Sequence, residues 1–234
     1  AILIKSHSSI TADIASLIQS LAKDINVFGG IALNYPVGGL NPVAVETALK
    51  LGAKQIWMPT LDASNQYRYE KKRGGITILN RKGSLKKEAT EILEILSRHD
   101  VILSTGHLSK DEIIALVREA IKRKIKKILV THPDHFFIQM PVEVQKELAK
   151  QGIFFDRCFP THTTSPLTME GMAERIRDVG VASSVLTSDF GQPENPFPVE
   201  GLRSYIQQLV QLGFADQEID QMVKINPSRL LNLS

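Results

Sequence analysis

Residues 101–133, VILSTGHLSKDEIIALVREAIKRKIKKILVTHP, decide the fold. The stretch opens on a short apolar run, Val101-Ile-Leu-Ser, and closes on another, Ile128-Leu-Val-Thr. Between them Ser109 and Glu112 stand at capping-box spacing ahead of an Ile/Leu/Val stripe of helical period. This is strand, helix, strand, and mostly apolar strands of this kind are those of a parallel sheet covered on both faces.

The same unit recurs along the chain. Strands are predicted at residues 1–7, 27–34, 55–60, 101–107, 127–133, 153–159 and 183–190. Their last residues are separated by steps of 27, 26, 47, 26, 26 and 31. A step near 26 holds one strand, one helix and two short loops, so seven near-equal βα units predict a (β/α)8 TIM-type barrel rather than an open doubly wound sheet. A complete barrel needs eight strands, and the sequence opens on Ala1-Ile-Leu-Ile, inside a strand pattern. The expectation is that the first strand is missing and that the seven visible ones are the second to the eighth. The step of 47 hides an insertion at about residues 61–83, expected to form a lid because it leaves the C-terminal end of a strand; the alternative is a solvated excursion. Thr11, Asn41 with Pro42, Pro141 and Thr168 mark helix starts, and residues 198–212 and 216–225 read as two closing helices. With no linker in the chain, residues 1–234 are expected to be a single domain.

Composition removes several function classes. Of 234 residues, 43% are hydrophobic and 23% charged, a balance that excludes disorder. The 28 Lys and Arg against 25 Asp and Glu leave +3, too weak a bias to indicate nucleic acid. The longest stretch free of polar side chains, Val27 to Leu33, is far too short to span a membrane. Cys158 is the only cysteine, so an internal disulfide is impossible and a reducing cytoplasm is expected. The partner expected is a small-molecule substrate, with a homo-oligomer left open.

Three ionisable residues fall at predicted strand ends: His107 in Ser-Thr-Gly-His, His132 in Val-Thr-His-Pro and Asp189 in Thr-Ser-Asp-Phe. Such ends converge on one mouth of a barrel, and two neutral imidazoles with a carboxylate suit one divalent ion, zinc first and manganese or iron as alternatives. Lys5 and His7, two apart on one strand, face the same side; with Arg157 they are the expected substrate contacts. The bland alternative for Lys5 and His7 is a rim salt bridge and a hydrogen bond. His135 and His162 read first as loop residues, Asp62 is a weak ligand candidate, and Cys158 reads as buried packing.

The segments Val101-Ile-Leu-Ser-Thr-Gly-His-Leu-Ser109, Ile128-Leu-Val-Thr-His-Pro133, Leu186-Thr-Ser-Asp-Phe-Gly-Gln-Pro193 and Asn226-Pro-Ser-Arg-Leu-Leu231 resemble an uncharacterised family of the amidohydrolase superfamily, as do Val27-Phe-Gly-Gly-Ile-Ala-Leu-Asn34, Gly38-Gly-Leu-Asn-Pro42 and Ile56-Trp-Met-Pro-Thr60. The resemblance implies metal ligands from a His-x-His pair on the first barrel strand, histidines on the fifth and sixth and an aspartate on the eighth. His107, His132 and Asp189 match the last three. The His-x-His strand has no counterpart in the sequence. The bridging Lys or Glu of binuclear members is replaced by Met58-Pro59-Thr60, so one ion is expected rather than two. The expected activity is metal-dependent hydrolysis of a carbonyl- or phosphoryl-type bond, with Asp189 as general base. A metal-assisted decarboxylase or lyase, and a non-catalytic binding barrel, are the alternatives.

Overall fold

The structure is a computed structural model that describes residues 1–159 and 165–233. The chain forms two compact units, Ala1–Leu129 and Val130–Ser234. All seven predicted strands are present and each is shorter than its apolar run: β1 Ile2–Ile4, β2 Val27–Ala32, β3 Gln55–Trp57, β4 Ile102–Ser104, β5 Ile128–Val130, β6 Phe154–Cys158 and β7 Ser184–Thr187.

In the first unit β1 to β5 pair in chain order, every pair parallel, with Ile4 opposite Gly29, Gly30 opposite Gln55 and Gln55 opposite Ile102. Two glycines let the layers close on β2. A Cβ on Gly29 would run into the Thr11 carbonyl at the start of helix α1, Ala12–Leu21, and one on Gly30 into the Gln55 carbonyl of β3. Thr11 does not cap α1 as predicted. Its hydroxyl donates to the carbonyls of Ile4 and Gly30 and accepts from the Gly30 N–H, joining β1 to β2 instead.

Asn41 does cap α2, Pro42–Lys50, by accepting from the amides of Val43 and Ala44. Ser109 and Glu112 close the predicted capping box at the start of α5, Lys110–Lys122. Glu112 works twice: Oε2 faces Ser109, while Oε1 accepts from the Thr77 hydroxyl at 2.6 Å and the Ile78 amide at 3.0 Å. That carboxylate ties the stem of the predicted insertion to α5. The insertion begins with α3, Ser64–Tyr69, narrows where the Ser64 amide donates to the Ile76 carbonyl and the Ile76 amide to that of Asp62, and buries Ile76 and Ile78; helix α4, Lys87–Leu96, follows.

In the second unit β6 pairs parallel with β7, Cys158 lying opposite Thr187. Its elements are α6 Val142–Ala149, α7 Met169–Val179, α8 Pro198–Gln211, α9 Asp216–Asp220 and α10 Asn226–Leu231. Their core gathers Met172, Ile176, Leu186, Tyr205, Leu209 and Met222. Of the two predicted closing helices, the first is α8. The second stops after α9, passes through a π turn at Gln221–Ile225 and continues as α10. Pro227 lacks an N–H to continue the ordinary ladder, and the wide turn absorbs the missing bond. It also seats the buried Asn226, whose amide donates to the carbonyls of Val181 at 2.8 Å and Ser184 at 2.6 Å.

Candidate metal centre

The expected site residues lie two or three positions beyond the strands rather than on them, because left-handed backbone ends each strand first. Gly106 before His107 has φ 59°, His132 itself has φ 45° and Asp189 φ 52°. Gly106 has no room for a side chain, since a Cβ would strike the Met58 carbonyl oxygen. For His132 and Asp189 the conformation is costly, about 1–3 kcal/mol each. Lys71, Lys124 and Asn232 also have positive φ, but each follows the end of a helix, where that is routine, and Gln139, at φ 44°, lies in the loop ahead of α6. Strain after a strand, on a histidine and an aspartate, marks a constraint other than chain reversal.

In the second unit that strain brings the two side chains together. His132 Nε2 lies 3.4 Å from Asp189 Oδ2, and Cys158, the last residue of β6, sets its Sγ 3.0 Å from His132 Nδ1. One donor atom from each of His132, Cys158 and Asp189 falls within 4.8 Å of the other two. His132 and Cys158 are buried and the Asp189 side chain is 26% exposed, so the cluster opens at the carboxylate. A cavity of about 10 Å³ is bounded by His132, Asp134, His135, Asp156, Cys158 and Ser165. That volume admits a single water or ion. Imidazole nitrogen, sulfur and carboxylate oxygen are a donor set that fits a divalent ion such as zinc.

The neighbours of the cluster hold it in place. Asp134 forms an ion pair with Arg157 at 2.6 Å and accepts from Gln145 at 3.1 Å. Arg157, expected at the substrate, is fully buried and is pushed below its usual range by that burial; its guanidinium fixes the loop that carries His132 instead of reaching solvent. His135 is held to about 3, first by burial and then by the neighbouring His132, and is therefore a neutral imidazole near pH 7. Phe190, next to Asp189, packs against Gly201 of α8, where any Cβ would overlap its ring. His162 lies outside the described residues.

The other expected residues belong to the first unit. His107 is buried, and its Nδ1 meets Gln66 Oε1 at 2.5 Å. Gln66 donates its Nε2 to Glu70 at 2.7 Å, which turns its oxygen toward the ring. Nδ1 must then carry the proton, leaving the Nε2 lone pair as donor, the tautomer a metal ligand needs. Lys72 and Gln66 in turn hold the Glu70 carboxyl below its ordinary range. The His7 ring centroid is 6.4 Å from that of His107, and its Nδ1 lies 2.8 Å from Thr60 Oγ1. Lys5 Nζ stands 5.7 Å from the Trp57 ring centre. Asp62 accepts from the Tyr35 amide and the Tyr67 hydroxyl, which makes it part of its own loop. Sequence reasoning missed Gln66; Cys158 is buried as expected, with its sulfur against His132. Gln66 gave no signal, while the contact of Cys158 with the His132–Asp189 pair follows from its place at the end of a strand beside the one that leads to Asp189.

The model of a family of unknown function, DUF6282, matches residues 1–156. No curated protein matches the chain. Among solved structures, an amidohydrolase from Pseudomonas aeruginosa aligns with 99% of this chain and 78% of its own at 16% identity and a TM-score of 0.67. An N-acetyl-D-glucosamine-6-phosphate deacetylase from Mycobacterium smegmatis aligns with 95% of this chain and 61% of its own (14% identity, TM-score 0.56). A 2,6-dihydroxybenzoate decarboxylase from Rhizobium does so with 95% and 76% (11% identity, TM-score 0.54). The parallel α/β fold is the one these amidohydrolase-superfamily structures share.

Proposed function

The chain belongs to the DUF6282 family of unknown function, and from that starting point we propose that it is a metal-dependent hydrolase of the amidohydrolase superfamily acting on a carbonyl- or phosphoryl-type bond of a small molecule. In this reading the chain is a single barrel-type domain whose strands correspond to the second to eighth of an eight-stranded barrel, and it works in the cytoplasm. No helix among the described residues is long and apolar enough to cross a membrane.

The observation that carries the reading is the 3.4 Å approach of His132 Nε2 to Asp189 Oδ2, both on strained backbone. Two ligands on bonds of about 2.0–2.1 Å around a tetrahedral zinc ion stand about 3.3 Å apart. His132 and Asp189 would hold the ion; in the first unit His107, with its proton fixed on Nδ1 by Gln66, presents its Nε2 in the form a metal ligand needs. When bound, the ion polarises the scissile bond and lowers the pKa of a water. Asp189, the most open of the three donors in the second unit, would serve as the general base for an attacking water. Lys5 and His7 orient an anionic or carbonyl group of the substrate. Arg157 has no part in binding, because its charge is spent on Asp134.

Elemental analysis of purified protein tests the reading. About one zinc, manganese or iron per chain is expected, with a sharp fall in His107→Ala and His132→Ala. Asp189→Asn should keep the fold and lose activity by ~100- to 10,000-fold, the range for a lost general base. Full metal content in both histidine variants refutes the assignment, and carbon dioxide release without hydrolysis would move the reaction to a decarboxylase.

A further inference from the structure

We infer that Cys158 is a third metal ligand, a soft sulfur donor beside His132 and Asp189, and that the site consequently selects a thiophilic divalent ion of the zinc type over manganese or magnesium. The inference rests on the metal-dependent reading above and adds to it the chemical class of the ion.

A cysteine kept for packing behaves as a small hydrophobe among apolar neighbours. Cys158 is buried at the tip of β6, yet its sulfur meets polar atoms: His132 Nδ1 at 3.0 Å, Thr187 Oγ1 at 3.1 Å and Asp156 Oδ1 at 3.5 Å. The strand pairing sets this up, since Cys158 lies directly opposite Thr187, and Asp189 follows Thr187 by two residues. Thr187 donates its only hydroxyl proton to Asp156 at 2.6 Å, so its oxygen faces the sulfur as an acceptor. The thiol proton thus has a polar seat in the metal-free protein. On loading, the S–H bond breaks, a sulfur–metal bond forms and the proton leaves to water.

Distances favour the same assignment. The three donor atoms already lie within 4.8 Å of one another, against about 3.3–3.6 Å between nitrogen, oxygen and sulfur ligands of one tetrahedral ion. Sγ faces His132 Nδ1 while Asp189 faces Nε2, so closing the set turns the sulfur or the ring until one ring nitrogen faces both. The donors then number one imidazole, one thiolate and one carboxylate. Imidazole already prefers zinc and cobalt to manganese and magnesium, and a thiolate widens that preference and extends it to cadmium.

The test is to load the metal-free full chain with cobalt(II) and record its absorption. A sulfur-to-cobalt charge-transfer band in the near ultraviolet is expected together with the visible bands of bound cobalt. Cys158 is the only cysteine, so the band in the wild-type protein alone identifies the ligand. In Cys158→Ser the charge-transfer band should vanish and zinc affinity should fall at least ~10-fold, while manganese affinity changes little. Visible bands of bound cobalt without the charge-transfer band overturn the role of Cys158 and leave the metal-dependent reading standing. No bound cobalt at all, or cobalt held equally by His132→Ala, overturns both.

Discussion

Replacing Arg157 by methionine removes a charge from the interior and strands its partner. The guanidinium is fully buried, and Asp134, with a side-chain exposure of 7%, lies 2.6 Å from it. After the change Asp134 keeps the Gln145 amide at 3.1 Å, with Arg175 no nearer than 3.9 Å and 32% exposed. A neutral amide and a partly screened cation do not replace a buried counter-ion. Breaking one side of such a pair costs about 3–5 kcal/mol. At about 2–4 °C per kcal/mol for a chain of this size, the melting temperature should fall by roughly 6–20 °C. The assay is calorimetry or thermal circular dichroism. A second variant separates charge from volume: Arg157→Met with Asp134→Asn removes both charges and should recover most of the loss, because the pair is strongly coupled. A shift below about 2 °C in the single variant would refute the buried pair, since it would fit a guanidinium that reaches solvent. Failure of the double variant to recover would show that the guanidinium over the Phe155 ring, rather than its pairing with Asp134, carries the stability.

Gln66→Leu removes the acceptor that fixes the His107 tautomer; metal affinity should fall about 10- to 100-fold by titration, with the far-ultraviolet spectrum unchanged. Gly201→Ala forces Phe190 off α8, and a loss of about 1–3 kcal/mol in denaturant melts should come with a weaker site, since Phe190 is the chain neighbour of Asp189. Asn226→Ala leaves the carbonyls of Val181 and Ser184 without their donor and should cost about 1–3 kcal/mol in the same melts.

Periodicity located the seven strands because buried parallel strands and amphipathic helices each leave their own spacing of apolar residues. It overran their ends. Gly106 continues a small-residue run and His132 follows directly on an apolar one, yet both are left-handed, and φ is not written in hydropathy. Caps divided along similar lines. Asn41 and Ser109 cap because amide groups two and three residues on are in reach, whereas Thr11 finds the carbonyls of Ile4 and Gly30 nearer than its own helix. His132 and Asp189 could be paired from sequence because strand ends gather in a parallel fold. Arg157 could not be assigned correctly, because whether an arginine at such an end points outward or toward Asp134 depends on the packing of another loop. Gln66 acts through an amide orientation set by Glu70, a tertiary fact with no sequence pattern behind it.

The neck formed where the Ser64 amide bonds to the Ile76 carbonyl, and the Ile76 amide to that of Asp62, has a further consequence. It closes the chain on itself, so what lies beyond it is a ring whose circumference the rest of the first unit does not sense. Within that ring Gln66 and Glu70 are committed to His107, but residues 71–74 are exposed. Doubling such a loop adds only about 0.6 kcal/mol of closure entropy. Lys72 belongs with Gln66 and Glu70 through its ion pair to Glu70, and Gly74, at φ 87°, resists any side chain, so variation in length and charge can accumulate at Arg73 without disturbing the histidine behind it.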